Sequence, residues 1–434
     1  MKLAEVEQEH FIPFRASDLL VLLLRAEEMP EQNKRRFEKI CVLLSRYYHL
    51  HFYEKLNTLK DCYAPFNPDA DTLPIGEVSG SQLKEMQGEL VDVLSDVVRA
   101  ANFKAVSQED LDRAMLEESL FNIRLKVDFN DFEQILFYRR GESIRSAEAR
   151  KWYSWKKTKI EFTNYERVLV YVKFKNEDYF RKRDPKDLFF KPGTTMIKLF
   201  RNIPKADLEM LFPNTEVAMR VQDKIMIGVP AAVSGVAVLV TKLGSTLLLL
   251  SALFAFWLGW RQEPVFIDQA ALIALGVGLA SVGAFVWKQF NSFRNRKIKF
   301  MKILADNLYF KNLDNNAGVF HRLIDAAEEA ESKEAMLAYF FLATAEQPLS
   351  QAELDDNIEN WLRSYGGGRC DFEVDDAVSK LVSFGLVEQV AGDGSVKSDA
   401  NSEEKAEILW QAVDLERALA SIESACHTAV AKID

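Results

Sequence analysis

The sequence predicts an α+β multidomain membrane protein: an N-terminal helical region, a small mostly-β domain, a transmembrane helical hairpin and a C-terminal winged-helix-like α-rich domain. Three observations lead there. Two charge-free apolar stretches of about 18 residues follow one another in the middle of the chain. Ahead of them, helical spacing gives way to short β-rich runs. Behind them, three amphipathic helical patterns precede a strand pair. The 434 residues allow roughly two to four domains. The net charge of −10 argues against a general nucleic-acid binder, so nucleic acid is not an expected partner.

Residues 1–120 read as a helical domain. ASDLLVLLLRAEE follows Pro13, and Phe37, Ile40, Cys41, Leu44 and Tyr48 recur at helical spacing. DCYAPFNPDADTLP (61–74) is a Pro/Asp-rich loop, Leu83–Ala100 is a further helix, and SQED (107–110) matches a capping box. The start, MKLAEVEQEHFIPF, has neither a basic n-region nor an apolar run, so neither a secretory nor a transit signal is read there.

Residues 121–222 read as a basic, mostly-β domain ending in a collar. IRLKVDF, FEQILFYRR, KIEFT, RVLVYVKFK and TMIKLF are β-rich, with breaks at NDF, RRGES and KPGTT. PKADLEMLF begins with Pro204 and predicts a short helix, and PNTE a turn, before Arg220 and Lys224. The basic side chains Lys156, Lys157, Arg181, Lys182, Arg183, Arg220, Lys224, Arg294, Arg296 and Lys297 are the candidate contacts to anionic lipid headgroups. The plain alternative is a solvated surface.

Residues 223–290 form the expected membrane region, with spans near 243–260 and 270–287. Each is about 27 Å long as a helix, close to the hydrocarbon thickness. The polar RQEPVFIDQ (261–269) lies between them, and Trp257, Trp260 and Trp287 lie at their ends. Ile225–Val240 carries Gly228, Pro230 and Gly235 and reads as an interfacial or re-entrant segment, with a third span as the alternative. Lys and Arg flank the hairpin on the outside and only Arg261 lies in its loop, which orients both long parts to the cytoplasm. Ala270, Ala274 and Gly278, and Gly276, Ala280 and Ala284, repeat every four residues, as close helix packing or a homo-oligomer needs.

Residues 291–434 read as the acidic winged-helix-like domain. SKEAMLAYFFLATAE (332–346) is a helix. SQAELDDNIENWLR (350–363) opens with a Ser350/Glu353 capping box, and DDAVSKLVSFGLVEQV stops near Gly385. AGDGS is a turn, with EILW as the returning strand. The third helix carries Asp375 and Asp376 against Lys380 alone and would repel phosphates, so an unknown protein partner is expected through this domain. The last helical stretch either packs back on the domain or serves a partner.

Chemistry is sparse. Cys41, Cys62, Cys370 and Cys426 are scattered without a C-x-x-C pair. His49 and His51 point to different faces of a helix and make a poor metal pair. No P-loop, G-x-G-x-x-G, G-x-S-x-G or H-E-x-x-H occurs. The acids of DFEVDD are explained by helix N-terminal placement. No catalytic residue, metal ligand or cofactor is expected.

Four stretches carry a family resemblance: FIPFRASDLLVLLL, MIKLFRNIPKADLEMLFPNTEVAMRVQDKIMIGVP, EAMLAYFFL and DFEVDDAVSKLVSFGLV. With them the chain resembles the membrane-protein family of domain of unknown function 3754, with bacterial, plant and mitochondrial members. The resemblance implies a pair of spans and no established activity. Its organellar members carry targeting peptides, so it further implies a multi-pass protein of the bacterial inner membrane. The combined expectation is a membrane-tethered scaffold or adaptor with cytoplasmic domains, the lipid bilayer being one partner. The alternatives are an oligomeric channel or transport accessory, and a lipid-acting enzyme.

Overall fold

The structure is a computed structural model describing residues 9–26, 29–72, 75–76, 78–107, 109–111, 124–150, 157–181, 190–218, 251–252, 254–260, 269–368, 370–391 and 408–433. Helix α1 (Ala16–Arg25) buries Leu19 and Leu23. Helix α2 (Glu31–Tyr63) buries Phe37, Ile40, Cys41, Leu44, Tyr48 and Phe52, the stripe its spacing predicts. Helix α3 (Gly80–Ala100) starts in a capping box, the Ser79 side chain accepting from the Gln82 N–H and Gln82 reaching back to the Ser79 N–H. It ends at Asn102, whose φ of +60° is the left-handed conformation that closes helices and that Asn tolerates.

Strands follow: β1 (Lys104–Ala105), β2 (Arg124–Lys126), β3 (Phe132–Arg150) and β4 (Lys157–Phe174). After the short helix α4 (Glu177–Arg181) come β5 (Thr195–Pro204) and β6 (Glu216–Ala218). RRGES does not break the sheet, as the sequence suggests, because Gly141 stays within β3 at φ +73°. A Cβ there would lie 2.9 Å from Glu166 Cβ on β4, so only glycine fits without a shift. KIEFT and RVLVYVKFK likewise fuse into the single strand β4. Helix α5 (Gln269–Lys311) leads into β7 (Asn312–Asn315) and then α6 (Ala317–Thr344). The chain ends with β8 (Leu349–Ser350), α7 (Gln351–Ser364), α8 (Val374–Ser383), β9 (Val387–Ala391), β10 (Ile408–Ala412) and α9 (Leu415–Ile433).

The chain divides into two compact units. The first comprises Met1–Leu116, Phe129–Leu208 and Lys311–Asp434. Its larger sheet is antiparallel in the order β1-β3-β4-β5-β7, and its smaller sheet runs β8-β10-β9. The C-terminal part shows the helix, helix, helix, strand-pair order that the sequence predicts, with Ile408 opposite Ala391. The turn AGDGS lies outside the described residues. Helix α9 packs back on α2: the Cys426 thiol lies 3.4 Å from the Leu43 carbonyl, and Arg36 pairs with Glu416.

Helix α6 is the axis of this unit, touching α1, α2, α3, α7, α8, β5, β7 and β10. Its residues 330–340 are all buried. Phe37 of α2 stacks on Tyr339 with ring centroids 6.1 Å apart, and Tyr63 meets Phe320 edge-on at 5.3 Å. At the head of α6, Asn316 takes a φ of +50°. Its N–H donates to the Ile197 carbonyl at 2.7 Å, and its Oδ1 accepts from the Ile197 N–H at 3.2 Å. The buried Tyr63 hydroxyl donates toward Thr195 O at 2.8 Å and Asn316 Oδ1 at 2.9 Å. One junction thus ties α2, β5 and α6.

The second unit comprises Glu117–Asp128 and Glu209–Phe310. In it β2 and β6 pair antiparallel, Leu125 opposite Val217. Among the described residues no helix is long and apolar enough to cross a membrane. This corrects the expected transmembrane hairpin and, with it, the membrane-protein fold class and the multi-pass inner-membrane location. The fold is mixed α/β. The described part of the first apolar stretch, 251–252 and 254–260, turns at Gly259 with φ +74°, the Trp260 N–H returning to the Ala255 carbonyl at 2.8 Å. The second stretch does not stop at Trp287 but opens the 43-residue helix α5, which runs on through Lys288, Arg294 and Lys302 to Lys311. Absence of charge over 18 residues therefore did not delimit a helix of membrane length. Helix α5 does leave Leu272, Ile273, Val277, Trp287 and Phe290 exposed. Residues 219–250, which include Ile225–Val240 and the start of the first stretch, and the loop 261–268 lie outside the described residues.

Tyr63→Phe removes the donor at the α2–β5–α6 junction and leaves a buried carbonyl without it. The expected loss is about 1–2 kcal/mol, read as a lower urea midpoint at unchanged m-value.

Candidate functional site

The middle turn of α6 carries Glu331, Ser332, Lys333 and Glu334, each at most 6 % exposed. Buried ionisable groups need partners or lose their charge, and here they divide between two directions. Lys333 points at the N-terminal segment. Its ammonium donates to the carbonyls of Ile12 at 2.9 Å and Phe14 at 3.0 Å, with Glu329 at 3.8 Å and the Phe11 ring centroid at 5.1 Å. Burial lowers its pKa and Glu329 pulls it back up. The same Phe11 stacks against Arg140, which also covers Phe103 and donates to the Ala101 carbonyl at 2.8 Å. Burial, with Arg167 adding to it, lowers the Arg140 pKa to about 10.

Glu331 and Glu334 point the other way, toward α2, α3 and α8. The i, i+3 spacing puts both on one helix face. Asn102 donates from Nδ2 to Glu334 Oε1 at 2.9 Å and to the His10 carbonyl at 3.3 Å, so the left-handed cap of α3 is also what aims the amide. From the first turn of α8 comes Asp376, and one turn later Lys380 bridges Asp376 and Glu331. A carboxylate oxygen of each of Glu331, Glu334 and Asp376 lies within 4.8 Å of the others. Tyr48 enters from α2 at 4 % exposure, and its hydroxyl has no hydrogen-bond partner among the described residues.

These groups form the floor of an open groove of about 630 Å³. Its walls are aromatic, with Phe384 edge-on to Tyr47 at 4.7 Å and to Tyr48 at 6.1 Å. Its rim carries Lys55, which lies 4.0 Å from Asp96, and Arg99. Burial raises the Glu334 pKa to about 8; Asn102 opposes this, Glu331 adds to it, Lys380 opposes it and Asp376 adds. Glu331 is raised by burial and drawn back by Lys380. Tyr48 is pushed well above the ordinary phenol range by burial and by the three carboxylates, so its hydroxyl keeps its proton.

The sequence pattern does not show this site: it places Asp375 and Asp376 at a helix N-terminus, where they are, and SKEAMLAYFFL in a helix. The legible signal was a cluster of charge, E-x-x-E around a lysine, inside an apolar helix. The basic candidates lie elsewhere. Lys157 opens β4, and Arg181 closes α4, pairing with Glu177 at 3.2 Å and Asp178 at 3.8 Å. Arg294, Arg296 and Lys297 are on α5 in the second unit, and Lys156, Lys182, Arg183, Arg220 and Lys224 lie outside the described residues. His49 meets Glu328 at 3.1 Å while His51 stacks on Tyr47 at 6.3 Å, so the two histidines serve different neighbours.

Two substitutions separate the two sides of α6. Lys333→Met keeps the stem but takes the donor from two carbonyls. A loss of about 1–3 kcal/mol is expected, with faster hydrogen exchange at residues 11–15. Glu334→Gln tests the other side. Glu334 is ionised above about 4.5 when unfolded and only above about 8 when folded, so stability falls as pH rises between those values and the deficit is complete above 8. In buffer containing a chelator the variant should lack that share of the decline. At pH 9 it should exceed the parent by on the order of 2–5 kcal/mol in chemical denaturation.

No solved structure matches this chain. The groove residues, from Tyr48 to Lys380, all fall outside the one stretch that a family model covers. That stretch, residues 165–318, matches the family described as protein of unknown function (DUF3754), the family that the four sequence stretches resemble.

Proposed function

We propose that the protein acts by binding rather than by catalysis, as an adaptor whose acidic groove takes a positively charged group. The observation that carries this reading is the groove between α2, α3, α6 and α8. Five acidic side chains, Asp96, Glu331, Glu334, Glu373 and Asp376, line it against three cations, Lys55, Arg99 and Lys380, Glu334 gaining its charge only above about 8. Aromatic rings beside carboxylates favour an ammonium or guanidinium through both charge and ring quadrupole. The protein's own Lys380 already places an ammonium on the floor. The acidic C-terminal part supplies α6 and α8, the region from which a protein partner is expected.

The thiols support binding over nucleophilic chemistry. Burial raises the pKa of all four cysteines, to about 11 at Cys62 and about 12 at Cys370, so none is an activated thiolate.

Spermidine and arginine amide, titrated into the full chain by calorimetry at low salt, should bind saturably. Affinity should fall with added salt and drop at least about 10-fold in Asp376→Asn. Wild-type protein that binds neither cation overturns the reading.

A further inference from the structure

We infer that Glu331, Glu334 and Asp376 chelate one divalent cation of the hard, oxygen-preferring class, with the Tyr48 hydroxyl as a fourth oxygen and Lys380 as the side chain the ion displaces. This rests on the reading of the groove as a site for positive charge, and it names the ion.

The spacing fits such an ion. Oxygen ligands sit about 2.0–2.6 Å from Mg²⁺, Mn²⁺ or Ca²⁺, so two ligands on opposite sides of one ion are at most about 5 Å apart. The three carboxylates have oxygens within 4.8 Å of one another. All are oxygen donors, the ligand type that selects these metals over zinc or copper. Two of them are already fixed. Glu331 and Glu334 are 6 % and 5 % exposed, on one face of the most enclosed helix in the unit. Asp376 is half-exposed at the groove mouth and gives the ion a way in.

Tyr48 is the independent sign. Buried hydroxyls ordinarily have a partner. This one is 4 % exposed, lines the same groove as the three carboxylates and has no hydrogen-bond partner among the described residues. Internal hydrogen bonding has used the Asn102 amide on Glu334 and the Lys380 ammonium on Glu331 and Asp376. A fourth oxygen, that of Tyr48, is left without an internal partner among the described residues in the same groove.

Lys380 makes the site switchable. Its single charge spans two of the three carboxylates, and its flexible stem lets the ammonium swing into the groove when a dication takes its place. The competing explanation is a permanent structural ion pair with Lys380 as its only cation. The two differ in what removing the lysine does.

The test is Mn²⁺ binding to the full chain, stripped with a chelator and dialysed, read by the electron paramagnetic resonance of free Mn²⁺. Circular dichroism checks the fold of each variant. One ion per chain is expected. Asp376→Asn and Glu334→Gln should each weaken it at least about 10-fold, and Tyr48→Phe about 2–5-fold. Lys380→Met should bind Mn²⁺ more tightly than wild type, by about 10-fold, because its competitor is gone. Mn²⁺ that does not bind wild type, or binds Asp376→Asn and Glu334→Gln as well as wild type, overturns the inference. If Mn²⁺ fails while spermidine binds and is lost in Asp376→Asn, the ion is refuted and the groove reading stands. If both fail, both fall.

Discussion

Burying charge in the middle of a helix constrains everything around it, and α6 does so within a single turn. Glu331, Lys333 and Glu334 are almost wholly buried, where water solvates them poorly, and each is met by another part of the chain. Lys333 is met by the carbonyls of Ile12 and Phe14, Glu334 by Asn102 at the end of α3, and Glu331 by Lys380 from α8. Three segments far apart in sequence converge on one turn because that turn is charged. Apolar side chains at those positions would have supplied burial but no directional demand. The hydrogen-bonding requirement selects one placement of the N-terminal segment among many of similar apolar area.

What the sequence made legible follows the reach of its physical signals. Spacing along α2 placed Phe37, Ile40, Cys41, Leu44 and Tyr48 on one buried face, as found. The Ser350/Glu353 capping box marks the start of α7, and Ser107 accepts from the Asp110 N–H at 3.1 Å. Both are local, three residues wide. The strand lengths were less readable because Gly141 looks like a turn residue, and the cross-strand neighbour Glu166 that demands it lies far along the chain. The apolar stretch 270–287 misled for a related reason: the pattern reports lack of charge, while the helix it belongs to continues far past it. The groove was invisible from sequence. Its members come from α2, α3, α6 and α8, and no local rule says that Tyr48 and Asp376 will face one another.

Tyr48 shows how the two kinds of information combine. Its ring belongs to the apolar stripe and was identified as such. Its hydroxyl belongs to the groove and could be assigned only once the carboxylates were placed. One side chain thus joins the core to the site, and the packing that holds the ring also holds the oxygen still. A positively charged group arriving at the floor would meet Glu331 and Glu334 already held by the fold, so the ordering left to be done falls on Lys380 and the half-exposed Asp376.

The contact between Lys333 and the N-terminal segment also carries a consequence for the order in which the protein is made. Ile12 and Lys333 are 321 residues apart, and α2 waits still longer for Cys426, 383 residues beyond Leu43. At about 5–20 residues per second, a ribosome needs on the order of tens of seconds to deliver the second partner after the first. Through that interval the apolar faces of α1 and α2 are outside the exit tunnel without the helix that covers them. The core around α1 and α2 is therefore completed only once α6, which carries Lys333, and then α9, which carries Cys426, have emerged.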